Sequence, residues 1–244
     1  MTSYVRAALK RIPLMPQLVT LGRWVASPQL RAIRRLQRAP RSGLFQPSPK
    51  TMPDRYPQFF EYARSALHDM PTPRLLSYGC STGDEVFSLH SYLPHAVVTG
   101  IDINPYSIEI CRRRLRARPS PNIHFTCAAS PEAEPESHYD AIFCMAVLRH
   151  GDLMAAPPDT CMPLFDFAKG EALVTALARC LKPGGLIVFW NVHFRFCDTR
   201  VAEQFDVVFA DPRHPKANFP LYGADNRRLD VPAYCDAVFR KRGG

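Results

Sequence analysis

Residues 74–102, RLLSYGCSTGDEVFSLHSYLPHAVVTGID, pass from strand to helix and back to strand within one short stretch. Leu75 to Tyr78 reads as a strand, Gly79 to Gly83 as a glycine-containing turn, and Asp84 to Leu93 as a helix. Ala96 to Ile101 then reads as a second strand, closed by Asp102. Glycine lets the backbone turn tightly and approach a ligand that a Cβ would exclude. Thr82 is a candidate N-cap, and Asp84 and Glu85 suit the positive end of the helix. An acidic residue closing the next strand stands where a carboxylate grips two ribose hydroxyls in open α/β sheets. The whole unit predicts a nucleoside-bearing cofactor. It is not the dinucleotide fingerprint G-x-G-x-x-G, nor a phosphate loop ending in G-K-[ST], because the turn reads G-C-S-T-G without a lysine.

That turn resembles motif I of the class I S-adenosylmethionine methyltransferases, which often reads G-C-G-T-G. Its S-T-G-D-E continuation is similar to the chemotaxis-receptor (CheR-like) glutamate methyltransferases. The resemblance continues through VVTGIDIN at 97–104, YDAIFCMAVLRH at 139–150 and LKPGGLIVF at 181–189, and so covers about Arg74 to Asn191. It implies an α/β fold: a Rossmann-like, seven-stranded, mostly parallel sheet with helices on both faces. It implies S-adenosyl-L-methionine as cofactor, held by Gly79, Cys80, Ser81, Thr82, Gly83, Asp102 and Ile103, with Met145 bordering it. Similar enzymes often carry an acidic or amide residue after the third strand for the adenine. Here Ala128, Ala129 and Ser130 stand there, which leaves the adenine to the backbone. In similar enzymes the helix before motif I closes over the cofactor, which makes Arg55 and Tyr56 candidates for its methionine end. Plain cover of the sheet edge is the competing expectation.

With 244 residues and 46% hydrophobic content, the chain can bury one full core. Its net charge of +9 is unevenly spread: residues 1–50 hold ten basic side chains and no acidic one. The remainder carries 21 basic against 22 acidic residues. The sequence thus divides into a basic N-terminal arm with linker, 1–50, and a near-neutral catalytic domain, 51–244. Eight cysteines lie scattered without C-x-x-C or His/Cys metal spacing, which reads as reduced thiols in a cytoplasm and as no metal site. No apolar run approaches the roughly 20 residues that span a bilayer.

Prolines divide residues 1–40 into three short helical pieces. Val5, Leu9 and Ile12 share a face in the first, and Leu18, Leu21, Trp24 and Val25 cluster in the second. Ser27-Pro28 opens the third as N-cap and first-turn proline, with Leu30, Ile33 and Leu36 opposite Arg31, Arg34, Arg35 and Arg38. Such an arm can pack on the domain, lie on an anionic membrane surface, bind nucleic acid or serve as a transit peptide. Nucleic acid is the weaker of the partner expectations. Further helices are expected at 55–67, 105–118, 165–181 and 198–205, with the arginines at 112, 113, 114 and 116 as a solvated face. Strands are expected at 122–127, 139–147, 186–192, 206–209 and 234–240, the last antiparallel, and 151–163 as a substrate-facing loop.

Methyl transfer from a sulfonium is an in-line displacement, so the protein supplies alignment and a dry site. A hydroxyl acceptor needs a general base, whereas a carboxylate needs none. His150, after strand four, and His193, after strand five, are the candidate catalytic bases; the alternative for each is a structural hydrogen bond. Asp140 reads as structural, and Arg195 with Asp198 either grips substrate or forms an internal ion pair. The [DN]-P-P-[FYW] signature of amino-adenine enzymes is absent, and Cys144 lacks the Pro-Cys setting of cytosine-C5 enzymes. A small-molecule or glycoconjugate acceptor with O-methylation is the first expectation. CheR-like protein carboxyl methylation is the second, and an RNA methyltransferase recruited by the arm the third.

Overall fold

The computed structural model describes residues 27–38, 43–211, 220–231 and 234–243. The expected helical pieces before Ser27 lie outside the described residues. Two compact units emerge, 1–42 and 43–244. The second unit begins at Gly43, and it includes the segment 43–50 that the sequence reading places in the linker. In the first unit, helix α1 (Pro28–Arg38) starts where the Ser-Pro signal puts it. Ser27 Oγ accepts from the Leu30 amide at 3.4 Å, as an N-cap does. Ile33 is buried, and Arg31, Arg34, Arg35 and Arg38 are exposed.

The second unit runs α2 (Pro57–Ala66), β1 (Arg74–Tyr78), α3 (Asp84–Tyr92), β2 (Val97–Asp102), α4 (Pro105–Ala117), β3 (Ile123–Cys127) and β4 (Tyr139–Met145). It continues with α5 (Gly151–Ala155), α6 (Phe167–Cys180), β5 (Leu181–Trp190), β6 (Phe205–Ala210) and β7 (Asp236–Lys241). One seven-stranded sheet has the order β3-β2-β1-β4-β5-β7-β6. β7 runs antiparallel to both β5 and β6, and the other pairings are parallel. The strand order reverses between β1 and β4, the position at which open α/β sheets bind ligands beyond their carboxyl ends.

Strand alternation divides the core into two layers. Leu76 and Tyr78 of β1, Ile142 and Cys144 of β4, and Ile187 and Phe189 of β5 point to one face and pack on α6. Leu75, Ala141, Phe143, Leu186 and Val188 point to the other and pack on α2, α3 and α4. Every residue of β4 is buried, as expected of a central parallel strand covered on both faces.

Several local expectations change. Thr82 does not cap α3: the cap is Gly83, left-handed at φ 89°, with no side-chain bond. A Cβ at Gly79 (φ 75°) would sit 2.4 Å from Val147 Cγ2, so the turn requires glycine there for space as well as conformation. β5 begins at Leu181 because the Lys182–Gly185 turn is looped out between the pairings Tyr139↔Leu181 and Ala141↔Leu186. The helix expected at 198–205 is two 3₁₀ turns, Phe196–Asp198 and Ala202–Gln204. There Thr199 Oγ1 donates to the Phe196 carbonyl at 2.7 Å, a local bond that competes with a continuing helix. The loop expected at 151–163 opens with α5, anchored by the buried Leu153.

Candidate active site

The carboxyl ends of the strands carry unusual backbone. Ser81 (φ 49°) after β1, Ala146 (φ 59°) after β4 and Asn191 (φ 57°) after β5 are all left-handed without being glycine. Such conformations cost energy and gather where a site is held in shape. Asp102 ties the first two strands together: one carboxylate oxygen accepts from Ser81 N at 2.8 Å, the other from Asn104 N at 2.8 Å. Burial raises the Asp102 pKa, and these two backbone bonds act against the rise. Each oxygen accepts more than one bond, so the carboxylate that shapes the loop can also receive ribose hydroxyls.

Arg114 holds the loop from outside. Its guanidinium donates to the Thr82 carbonyl at 2.6 Å and to Asp84 Oδ1 at 2.7 Å, and lies 4.6 Å from the Phe87 ring centroid. One arginine of the run on α4 thus leaves the solvated face expected of it.

A strap formed by residues 43–56 crosses the same edge. Phe45 packs on Phe165, with ring centroids 5.3 Å apart. Ser81 Oγ donates to the Pro49 carbonyl at 2.9 Å. Asp54 N donates to Ser88 Oγ at 2.9 Å, and Tyr92 Oη donates to Asp54 Oδ1 at 2.9 Å. At the end of the strap, Arg55 lies 5.1 Å from the centroid of the Tyr56 ring. Tyr56 Oη accepts from Asn191 Nδ2 at 2.7 Å, and Asn191 Oδ1 accepts from Arg149 Nη1 at 2.8 Å. Burial raises the phenol pKa of Tyr56. Of the two residues named from the sequence, Tyr56 meets the end of β5 through Asn191, which also binds Arg149, while Arg55 is exposed and lies on the Tyr56 ring.

Glu85 lines a recess in this region: protein surrounds it, yet part of its surface stays accessible. It accepts from Ser77 Oγ at 2.7 Å, and burial pushes its carboxyl up to about 8, with the Ser77 bond and the Arg55 charge opposing. The sequence marks it only as an acidic first-turn residue.

The two histidines separate. His193 is fully buried. Its Nδ1 is 2.8 Å from the Pro220 carbonyl and its Nε2 is 3.2 Å from the His150 carbonyl. Burial lowers its pKa, and the contacts to the two carbonyls act against that fall. This corrects the base assignment: with no face on the cleft, His193 clamps three loops together. His150 keeps a partly exposed ring and caps α5, its Nδ1 accepting from Asp152 N at 3.3 Å. While the cap is made, the Nδ1 lone pair is engaged by the Asp152 amide.

Other expected residues fall in mixed positions. Gly79, Ser81, Thr82, Gly83 and Asp102 meet at one edge, and Ile103 follows half-buried. Cys80 and Met145 are at the edge by backbone only: both side chains are buried in the core layer beneath α2, α3 and α4. The Ala129 carbonyl, at the place left for the adenine, accepts from Tyr78 Oη at 2.6 Å. Arg195 and Asp198 pair with each other at 2.6 and 2.8 Å. Asp140 accepts from Arg74 N at 2.8 Å and Lys182 Nζ at 2.7 Å, a structural role. All eight cysteines are free, and no group of three His, Cys, Asp or Glu suited to a metal occurs among the described residues. No helix among them is long and apolar enough to cross a membrane.

Residues 75–185 match the family model described as a methyltransferase domain. Among curated proteins, the chain is 35% identical over 154 residues to a malonyl-[acyl-carrier protein] O-methyltransferase of Anoxybacillus flavithermus, covering 62% of this chain and 53% of that one. It is 29% identical over 121 residues to a protein of the same name from a Paenibacillus species, covering 48% and 38%. The chain thus spans about half or less of the length of these relatives. Among solved structures, the [4+2]-cyclase SpnF aligns with a TM-score of 0.49 at 16% identity, covering 77% of this chain and 81% of that one. The YcgJ protein of Bacillus subtilis aligns with a TM-score of 0.47 at 12% identity, covering 78% and 100%.

Proposed function

From a chain whose residues 75–185 match the methyltransferase-domain family, we propose an S-adenosylmethionine-dependent enzyme that methylates an oxygen of a small-molecule or glycoconjugate acceptor. The observation that carries this reading is the Asp102 carboxylate at the end of β2 bonded to Ser81 N beyond β1, which joins the glycine loop to the acidic strand end. Gly79, Ser81, Thr82, Gly83 and Asp102 would hold S-adenosyl-L-methionine at this edge by its ribose and methionine. When bound, it supplies the activated methyl; the chain supplies orientation and exclusion of water, which the strap and Tyr56 favour.

Oxygen as the acceptor atom is supported by the two O-methyltransferase relatives. The tied-up histidines add a physical constraint. With His193 buried and His150 engaged as a cap, an acceptor oxygen ionised on its own, such as a carboxylate, suits the site better than a neutral hydroxyl. Protein carboxyl methylation meets the same constraint and is the second reading. The basic arm is proposed to dock on an anionic membrane surface, since α1 presents four exposed arginines and no acidic residue.

The test is binding of S-adenosylhomocysteine to the purified full chain by calorimetry, followed by transfer of label from S-adenosylmethionine to a cell extract, with products identified by mass spectrometry. Cofactor binding with an O-methylated product is expected. Absence of cofactor binding refutes the reading.

A further inference from the structure

We propose that Cys80 in the glycine loop and Cys111 on α4 form a redox modification site, closed to a disulfide by a peroxide and reopened by thiols, whose closure weakens cofactor binding; this rests on the reading of that loop as the cofactor site. The two thiols come from different elements. Cys80 lies between Gly79 and Ser81 after β1, and Cys111 is a buried residue of α4. Both converge on one acceptor: Cys111 Sγ is 3.2 Å and Cys80 Sγ 3.9 Å from the Ser81 carbonyl oxygen. The two side chains also hydrogen-bond each other. All eight cysteines are free, and among the described residues no other two share an acceptor in this way.

The position of the pair gives it leverage. Ser81, whose carbonyl receives both thiols, has left-handed backbone (φ 49°), and its amide donates to Asp102 at 2.8 Å. The space around the sulfurs is full. A Cβ at Gly100 would stand 3.0 Å from Cys80 Sγ, and one at Gly83 would stand 3.1 Å from Cys111 Sγ. Bonding draws the sulfurs together from nonbonded contact, removes both S–H donors from the Ser81 carbonyl and pulls the Cys80 backbone toward α4. Ser81 is the next residue, so its amide is drawn away from Asp102.

The chemistry balances with hydrogen peroxide as oxidant. One thiolate attacks a peroxide oxygen; an S–O bond forms, the O–O bond breaks, and hydroxide leaves and takes up a proton as water. The second thiolate attacks the resulting sulfenic sulfur, the S–S bond forms, and a second water departs. Two thiols thus give up two electrons and two protons, and peroxide is reduced to two waters. A dithiol reverses the bond by exchange. Cys80 and Cys111 are 2% and 0% exposed, and burial holds the Cys80 thiol well above its ordinary pKa. The pair therefore reacts when the loop opens, not while it is closed. A ligand seated on the loop keeps it closed, and a ligand that disfavours the disulfide is by reciprocity disfavoured by it.

The test treats the full chain with hydrogen peroxide, with and without saturating S-adenosylhomocysteine, and maps disulfide-linked peptides by mass spectrometry. Calorimetry measures S-adenosylhomocysteine affinity before oxidation, after it, and after dithiothreitol. A peptide pair joining Cys80 to Cys111 is expected, forming more slowly when ligand is present. Affinity should fall about tenfold or more on oxidation, as loss of the Ser81 bond to the Asp102 carboxylate implies, and should return with dithiothreitol. Cys111→Ala should show no reversible loss relative to its own untreated affinity, and Cys111→Ser serves in its place where the alanine variant does not fold. The proposal is overturned if no Cys80–Cys111 link forms, or if the linked chain binds ligand as the reduced chain does. It is also overturned if Cys111→Ala loses affinity reversibly as the parent does, which gives the effect to another thiol such as the exposed Cys127 or Cys197. Failure of the untreated parent to bind S-adenosylhomocysteine overturns the methyltransferase reading itself, and the linked peptide reports on the thiol pair independently of it.

Discussion

Replacing Asp102 by asparagine changes one oxygen to an amide nitrogen and leaves the shape intact. In the parent chain both oxygens accept backbone amides, Ser81 N and Asn104 N, each at 2.8 Å. Asparagine has one accepting oxygen, so whichever way the amide turns, its NH₂ faces a backbone N–H. One bond to a charged acceptor is lost and two donors are brought together. Hydrogen bonds to charged groups contribute about 1.5–3 kcal/mol each, so a loss of that size falls on the loop even before ligand binds. The unfolding midpoint should drop by about 3–12 °C, taking about 2–4 °C per kcal/mol for a domain of this size. Release of Ser81 from its left-handed conformation (φ 49°) spoils the loop, and the ribose loses its charged acceptor. Affinity for S-adenosylhomocysteine should therefore fall about tenfold to over a hundredfold. Calorimetry and thermal melts on the same preparation measure both effects. A folded Asp102→Asn protein with parental affinity would falsify the assignment of this edge as the cofactor site.

Other perturbations probe the remaining elements. Glu85 has a folded pKa of about 8 against an ordinary 4.5, so above 4.5 the folded state keeps a proton that the unfolded state has lost. Its contribution is complete below about pH 4.5 and is lost as pH rises through about 8. Glu85→Gln, fixed in the neutral form, should flatten that decline; urea midpoints that run parallel for variant and parent between about pH 5 and 8 would refute the burial argument. His193→Ala should destabilise the protein by roughly 1–3 kcal/mol through the buried carbonyl it leaves unpaired, whereas His150→Ala should cost about 0.5–2 kcal/mol, the range of a lost cap. Equal, near-zero changes in urea denaturation would remove the clamp role from His193. The full chain should co-sediment with anionic vesicles and retain part of that binding in high salt, since each basic residue near such a surface is worth about 1 kcal/mol and α1 adds apolar contact. A chain starting at Gly43 should not bind; salt-sensitive RNA binding without vesicle binding would instead favour the nucleic-acid reading.

The linear sequence determined what depends on neighbouring residues. Residues 74–102 predict β1, the glycine turn, α3 and β2 almost to the residue, because hydrophobic period, glycine and an acidic strand end are local signals. Ser27-Pro28 likewise marks the start of α1, and the mostly apolar run 139–145 marks β4 as central. Which side chains meet at the sheet edge was decided by tertiary structure. His150 and His193 look equivalent in sequence, each following a strand, yet closure of the 220 segment buries one while the other caps a helix. Arg114 is one of four arginines on α4, and only the packing of α4 beside the motif loop brings it to Thr82 and Asp84. Tyr56 and Asn191 lie 135 positions apart in sequence, so no window along the chain contains their bond. Motifs along the chain identify the cofactor because they lie on one strand–turn–helix unit. The corner where Tyr56, Asn191 and Arg149 meet is assembled from three distant segments whose juxtaposition depends on the order and pairing of strands.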